Sequence, residues 1–194
     1  MAPRLLVCCE FSQTVMSAFL EKGFDAWSND IIDCEGSYKD RHLKMDARKA
    51  VMMKSWDMII AHPPCTFLTA MQGYMLADKD KFMKERYPLM MAARDFFMFF
   101  WLLDGVPVCI ENPRPLHMAE LPISTQVVCP TMFGDSYTKR TYLWLKNLPP
   151  LLPTVAKPLN TKSFVNSTSG GHNRSKLSPY LAQAMADQWS TMFL

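Results

Sequence analysis

At 194 residues, 49% hydrophobic and with a net charge of +3, the chain is long enough to bury a sizeable core without covalent staples. Its six cysteines form no CxxC pair and its four histidines do not cluster with them, which argues against a zinc site or a disulfide framework and for a reducing compartment. The N-terminus lacks the apolar stretch of a signal peptide, and Phe96 to Leu103 falls far short of the roughly 20 apolar residues of a membrane span, so the expectation is a cytoplasmic protein with no metal and no membrane partner.

Leu5 to Cys9 reads as a first strand. A helix follows over Thr14 to Lys22, with Val15, Phe19 and Leu20 at helical spacing and Gly23 as the C′ residue. A second strand over Asp25 to Ser28 ends at Asn29-Asp30. Leu43 to Asp46 reads as a short strand and Ala47 to Lys54 as a short helix. Trp56 to Ala61 is then a buried strand that runs directly into His62-Pro63-Pro64-Cys65. Each proline fixes its own φ and biases the residue before it toward extended geometry, so Cys65 projects from a stiff turn as a nucleophile would; an inert buried thiol is the plain alternative. Tyr87 to Leu103 makes a long helix, and Pro107 to Ile110 a buried strand ending at Glu111-Asn112-Pro113. This alternation predicts an α/β fold, a mostly parallel sheet with helices on both faces, in one domain over residues 1–194.

Further strands are expected over Val127 to Cys129 and Thr141 to Leu145, and Pro149 to Pro153 breaks regular structure. Residues 160–176, rich in Asn, Ser, Thr and Gly, read as a mobile loop. A closing helix starts at Pro179, with Ser178 as its N-cap, and runs through Leu181, Met185 and Trp189. From Ser136 to Ala186 there is no acidic residue, while Lys139, Arg140, Lys146, Lys157, Lys162, Arg174 and Lys176 are interleaved with aromatic side chains. Such a surface attracts phosphate and offers rings for stacking; the plain alternative is a solubilising face.

Glu10, Asp30, Asp46, Cys65 and Glu111 all stand at strand ends, which a doubly wound sheet gathers along one edge around one pocket. A carboxylate after the second strand can accept both hydroxyls of a ribose. The chain has no GxGxxG, so an adenosine-bearing cofactor without phosphates suits this edge better than a dinucleotide.

In this order and spacing, Pro63-Pro64-Cys65 and Glu111-Asn112 resemble the nucleophile and glutamate motifs of the DNA cytosine-5 methyltransferases. Phe133-Gly134 with Lys139-Arg140 resembles the segment that carries a basic residue to the target base, and Ser178-Pro179-Tyr180-Leu181-Ala182 the closing motif that folds back onto the cofactor. The likeness is closest to short, phage-type members. It implies a Rossmann-like methyltransferase fold, S-adenosylmethionine as cofactor and DNA as partner. Cys65, Glu111, Asn112, Lys139 and Arg140 would be catalytic. Cys9, Glu10, Phe11, Asp30, Asp46, Pro63 and Ser178 would surround the cofactor.

Three departures stand out. Cys9-Glu10-Phe11-Ser12-Gln13 replaces the family's glycine-rich first motif, and Tyr137 stands where a glutamine is usual. The segment between Leu145 and Ser178 is also too short for a separate target-recognition domain, so the basic stretch 136–186, with Lys157, Lys162, Arg174 and Lys176, takes its place as the expected nucleic-acid contact. Two other readings compete: thymidylate-synthase-like modification of a free pyrimidine nucleotide, and a catalytically degenerate methyltransferase fold that binds nucleic acid or nucleotide.

Overall fold

The computed structural model describes residues 1–70, 79–156, 162–163 and 175–193. Its strands are β1 (Arg4–Cys8), β2 (Asp25–Asp30), β3 (His42–Lys44), β4 (Met58–Ala61), β5 (Val108–Asn112), β6 (Gln126–Val128), β7 (Tyr137–Thr138), β8 (Thr141–Lys146) and β9 (Lys162–Ser163). The main helices are α1 (Thr14–Glu21), α2 (Ala47–Met52), α3 (Tyr87–Trp101) and α4 (Pro179–Trp189).

Along β1, β4 and β5 successive side chains are buried on opposite faces, as expected of strands covered twice. Leu5, Val7, Met58, Ile60 and Cys109 join one apolar cluster with α1 and α4. Leu6, Cys8, Ile59, Val108 and Ile110 join the other with α2 and α3. Seven strands make one sheet of order β3-β2-β1-β4-β5-β8-β6. It is parallel from β3 through β5, while β8 runs antiparallel to both β5 and β6. The chain lays β2 and β3 to one side of β1, then returns to place β4 and β5 on the other. The carboxyl ends of β1 and β4 therefore flank a topological switch point, the crevice where an open parallel sheet takes its ligand. On the reversed strand β8, Trp144 packs edge-on against Phe97 of α3 with ring centroids 4.9 Å apart. Trp189 of α4 donates its indole N–H to the Pro149 carbonyl at 3.0 Å, tying the proline-rich segment to the helix.

The observed boundaries differ from the sequence expectation where side chains compete with the ladder. Cys9 is left-handed, with φ 58°, so β1 ends at Cys8. Trp56 and Asp57 lie outside β4. The Trp56 indole N–H reaches the Ala50 carbonyl at 3.2 Å, and the Asp57 carboxylate accepts the Arg4 amide at 2.7 Å. Asp46 is a helix cap rather than a strand residue: it accepts the Arg48 amide at 2.9 Å. A π-helical turn, Phe82–Arg86, precedes α3. Of the loop expected over 160–176, only the backbone pair of β9, Ser175 and Lys176 fall among the described residues, and β9 pairs with β7. Lys157, Arg174 and the side chain of Lys162 lie outside them. Among the described residues no helix is long and apolar enough to cross a membrane, and no cluster of His, Cys, Asp or Glu is arranged to hold a metal ion.

Candidate functional site

Beyond β4 the ladder continues for one residue, with the His62 amide donating to the Cys8 carbonyl at 3.0 Å. Pro63 and Pro64 then turn the chain toward Cys65. The turn is held from β5: buried Asn112 donates its Nδ2 to the Pro63 carbonyl at 2.8 Å, a bond between residues 49 apart. The Cys65 carbonyl accepts from the amides of Leu68 and Thr69, both at 2.9 Å. Two further bonds strap this loop to the one after β5, Ala70 to the Arg114 carbonyl and Leu116 to that of Leu68. From the π turn, the Arg86 guanidinium lies 5.0 Å from the Phe67 ring centroid. The Cys65 loop and the Glu111-Asn112 strand end are thus one rigid unit. Asn112→Ala removes its central bond and leaves a buried carbonyl unpaired, so stability should fall by about 1–3 kcal/mol. Urea denaturation reads the fall, and hydrogen exchange should be faster at Leu68 and Thr69; unchanged values for both would show that the bond does not hold the loop.

The charges of this unit act on one another. Burial pushes the Cys65 thiol above its ordinary range and the Glu111 charge adds to that, with Lys139 opposing. For Glu111, burial alone would raise the carboxyl, but the His62 hydrogen bond and the Lys139 charge outweigh it and hold it below the usual range. Glu111 is therefore ionised, and because a carboxylate only accepts, His62 Nδ1, 3.3 Å from Oε2, carries a proton. Lys139, half-buried, bears on both Cys65 and Glu111; exposed Arg140 enters neither balance. The segment carrying Lys139 is anchored at Tyr137, whose phenol is pushed up to about 12 by burial and by Asp135.

Across the switch point, Cys9, Glu10, Phe11, Ser12, His62, Ser175 and Leu177 line a narrow cleft. Glu10 is the N-terminal anchor of α1: its two oxygens accept the Val15 and Met16 amides at 2.6 and 3.2 Å. Burial pushes its carboxyl up against the opposing pull of His62 and of those amides. At the end of β2, one oxygen of Asp30 accepts the Ile31 amide at 2.7 Å, and the other has no hydrogen-bond partner among the described residues. Ile31 and Ile32 beside it are 73% and 46% exposed. Asp30 and Asp46 share this edge with Cys9, whose thiol burial and both carboxylates push up to about 12. Ser178 caps α4 and gives its own proton to Asp135 at 2.6 Å, so the closing segment reaches the cleft through Ser175 and Leu177 instead. Lys176 is held by Glu35 at 2.6 Å and lies 5.9 Å from the Phe11 ring centroid, which makes it a tie across the cleft rather than a cation presented to phosphate.

No protein-family model matches the chain, and no curated protein matches it.

The structure marks this edge in a further way. Four buried side-chain polar atoms have no hydrogen-bond partner among the described residues, and three of them, Asn29 Oδ1, His62 Nε2 and Asn112 Oδ1, stand at the ends of β2, β4 and β5. Folded proteins seldom leave such atoms unpaired, and their concentration here points to a working surface. Sequence reasoning passed over Asn29 and His62. For His62 the available signal is its place directly before the Pro63-Pro64 pair that delivers Cys65. Chemically, the site joins a thiol, an ionised carboxylate with a proton-bearing imidazole behind it, and an ammonium. That set can add sulfur to an electrophilic carbon and compensate charge on both sides of a planar ring.

Proposed function

We propose that the chain is an S-adenosylmethionine-dependent methyltransferase acting at C5 of cytosine in DNA, with Cys65 adding covalently at C6. One observation carries the reading: β4 and β5 bring Cys65, Glu111 and Asn112, the residues that carry the motif resemblance, together with Lys139. A parallel sheet with a reversed strand near one edge agrees with the Rossmann-like methyltransferase fold that the resemblance implies. The free-nucleotide reading would use the same Cys65 thiol, and the degenerate reading draws on the altered Cys9-to-Gln13 motif; the paired order of the Cys65 and Glu111-Asn112 motifs favours the DNA methyltransferase.

C5 of cytosine is too weak a nucleophile to attack a methyl sulfonium directly. Sulfur addition at C6 turns the ring into an enamine and divides one difficult step into two. Cys65 supplies the sulfur, Glu111 faces N3 where charge develops, Lys139 compensates the base oxygen O2, and Asn112 keeps the thiol's loop in register. Burial and the Glu111 charge hold the Cys65 thiol above its ordinary range, and Lys139 supplies the opposing charge that favours the thiolate.

The end of β2 supports the cofactor reading. Asp30 offers a carboxylate oxygen with no partner among the described residues, and Ile31 an exposed apolar surface for a ring. When bound, S-adenosylmethionine supplies an electrophilic methyl group. Asp30→Ala removes two charge-assisted hydrogen bonds to ribose hydroxyls, so calorimetric affinity should fall by about 2–4 kcal/mol. Wild-type affinity in that variant would move the cofactor away from β2.

DNA is the proposed partner, with Arg140, Lys157, Lys162 and Arg174 as phosphate contacts and Lys176 a contact that must first give up Glu35. A flipped base costs a few kcal/mol in a duplex and little in a single strand, so single-stranded oligonucleotide should be methylated faster. Transfer of labelled methyl to cytosine-containing oligonucleotide tests the function as a whole. A protein that neither binds S-adenosylmethionine nor methylates either substrate would overturn it.

A further inference from the structure

One buried group at the site has no part in the chemistry above. His62 lies between β4 and the Pro63-Pro64-Cys65 turn, its side chain about 10% exposed, and its Nδ1 contacts Oε2 of a Glu111 side chain that is 11% exposed. Its Nε2 is buried without a hydrogen-bond partner among the described residues. A histidine kept for packing alone would have both ring nitrogens satisfied. The titratable groups that act around it are Glu111 at the end of β5 and Glu10 beyond β1, with Lys139 and Cys65 acting through Glu111. Two carboxylates thus bracket one imidazole.

We infer that His62 and Glu111 share the proton that N3 of the base takes up when Cys65 adds at C6. The inference rests on the function proposed above and adds a positioning residue to it. As the S–C6 bond forms, the C5=C6 π bond breaks and an electron pair is drawn through the ring to N3, which must gain a proton. Glu111 is ionised at rest and has none to give until His62 supplies it. Doubly protonated His62 passes its Nδ1 proton to Glu111, which passes it to N3, and the imidazole is left neutral. When C5 takes its new substituent and C4=N3 is restored, the proton returns by the same route. Loss of the C5 proton to water and departure of the sulfur restore C5=C6. The Cys65 thiol proton leaves to water before attack and returns after elimination, so the pair ends each turnover as it began.

His62→Asn keeps an N–H directed at Glu111 but holds no proton to give. In labelled-methyl transfer, kcat should fall by about 100-fold near neutral pH, while KM for oligonucleotide and affinity for S-adenosylmethionine stay within about twofold. The deficit should shrink from about pH 8.5 to about pH 6, because the small fraction of Glu111 that takes its proton from water rises as the pH falls. His62→Gln, with its amide nearer the Nε2 position, should show the same narrowing and guards against a variant that folds badly. Wild-type rate and pH profile in both variants would overturn the shared proton, and so would a loss of equal size at every pH. A wild-type protein without cofactor binding or methyl transfer would overturn the underlying function, a result read without either variant.

Discussion

Cys65→Ser should lower methyl transfer by on the order of 10⁴-fold or more while leaving the fold and the cofactor affinity in place. The hydroxyl is a far weaker nucleophile than the thiolate, and its proton is far harder to remove. The loop itself should not notice the change. It is held by backbone bonds to the Cys65 carbonyl and by Asn112 on the Pro63 carbonyl, none of which uses the sulfur. Thermal unfolding should therefore agree with wild type to within about 0.5 kcal/mol. Substantial residual methyl transfer in this variant would remove Cys65 from the role of nucleophile.

Glu111→Gln should move two observables in opposite directions. Methyl transfer should fall by about 10²- to 10⁴-fold, since the amide keeps the shape but cannot carry a proton to N3. The Cys65 thiol should become more reactive. In the wild type, burial first and the Glu111 charge second hold the thiol above its ordinary range, so thiolate is scarce at neutral pH and alkylation by iodoacetamide rises steeply as the pH climbs. Taking away the negative charge shifts that rise to lower pH, and the Cys65 peptide should be alkylated several-fold faster at about pH 8 than in wild type. Lys139→Met removes the opposing charge and should slow the same reaction. If Glu111→Gln left Cys65 alkylation unchanged, the two groups would not be electrostatic neighbours.

Much of the fold was legible because buried parallel strands are apolar runs: Leu5 to Cys8, Met58 to Ala61 and Val108 to Ile110 could hardly be anything else. The reversed direction of β8 was not, since a strand buried on both faces carries no mark of its polarity. At the site, Cys65, Glu111 and Asn112 could be singled out because one apolar run leads through two prolines to Cys65 and another leads straight into Glu111-Asn112-Pro113. Glu10 and Asp46 were ambiguous for a physical reason: a carboxylate shortly before a helix serves equally as a ligand for backbone amides, and both are spent that way. Ser178 was placed correctly as a cap, yet its hydroxyl turns to Asp135, a partner 43 residues away. The bond from His62 to Glu111 and the tie from Lys176 to Glu35 join distant parts of the chain, and no local pattern announces them.

The covalent step can be seen directly. Fluorine at C5 cannot leave as a proton does, so an oligonucleotide containing 5-fluorocytosine should arrest the reaction after methyl transfer with the base still bound to sulfur. Incubated with S-adenosylmethionine and this oligonucleotide, the protein should gain the mass of one methylated strand in intact-mass analysis, and peptide mapping should place it on Cys65. Methyl transfer to ordinary cytosine under the same conditions with no such adduct, or with the adduct on another residue, would contradict the account.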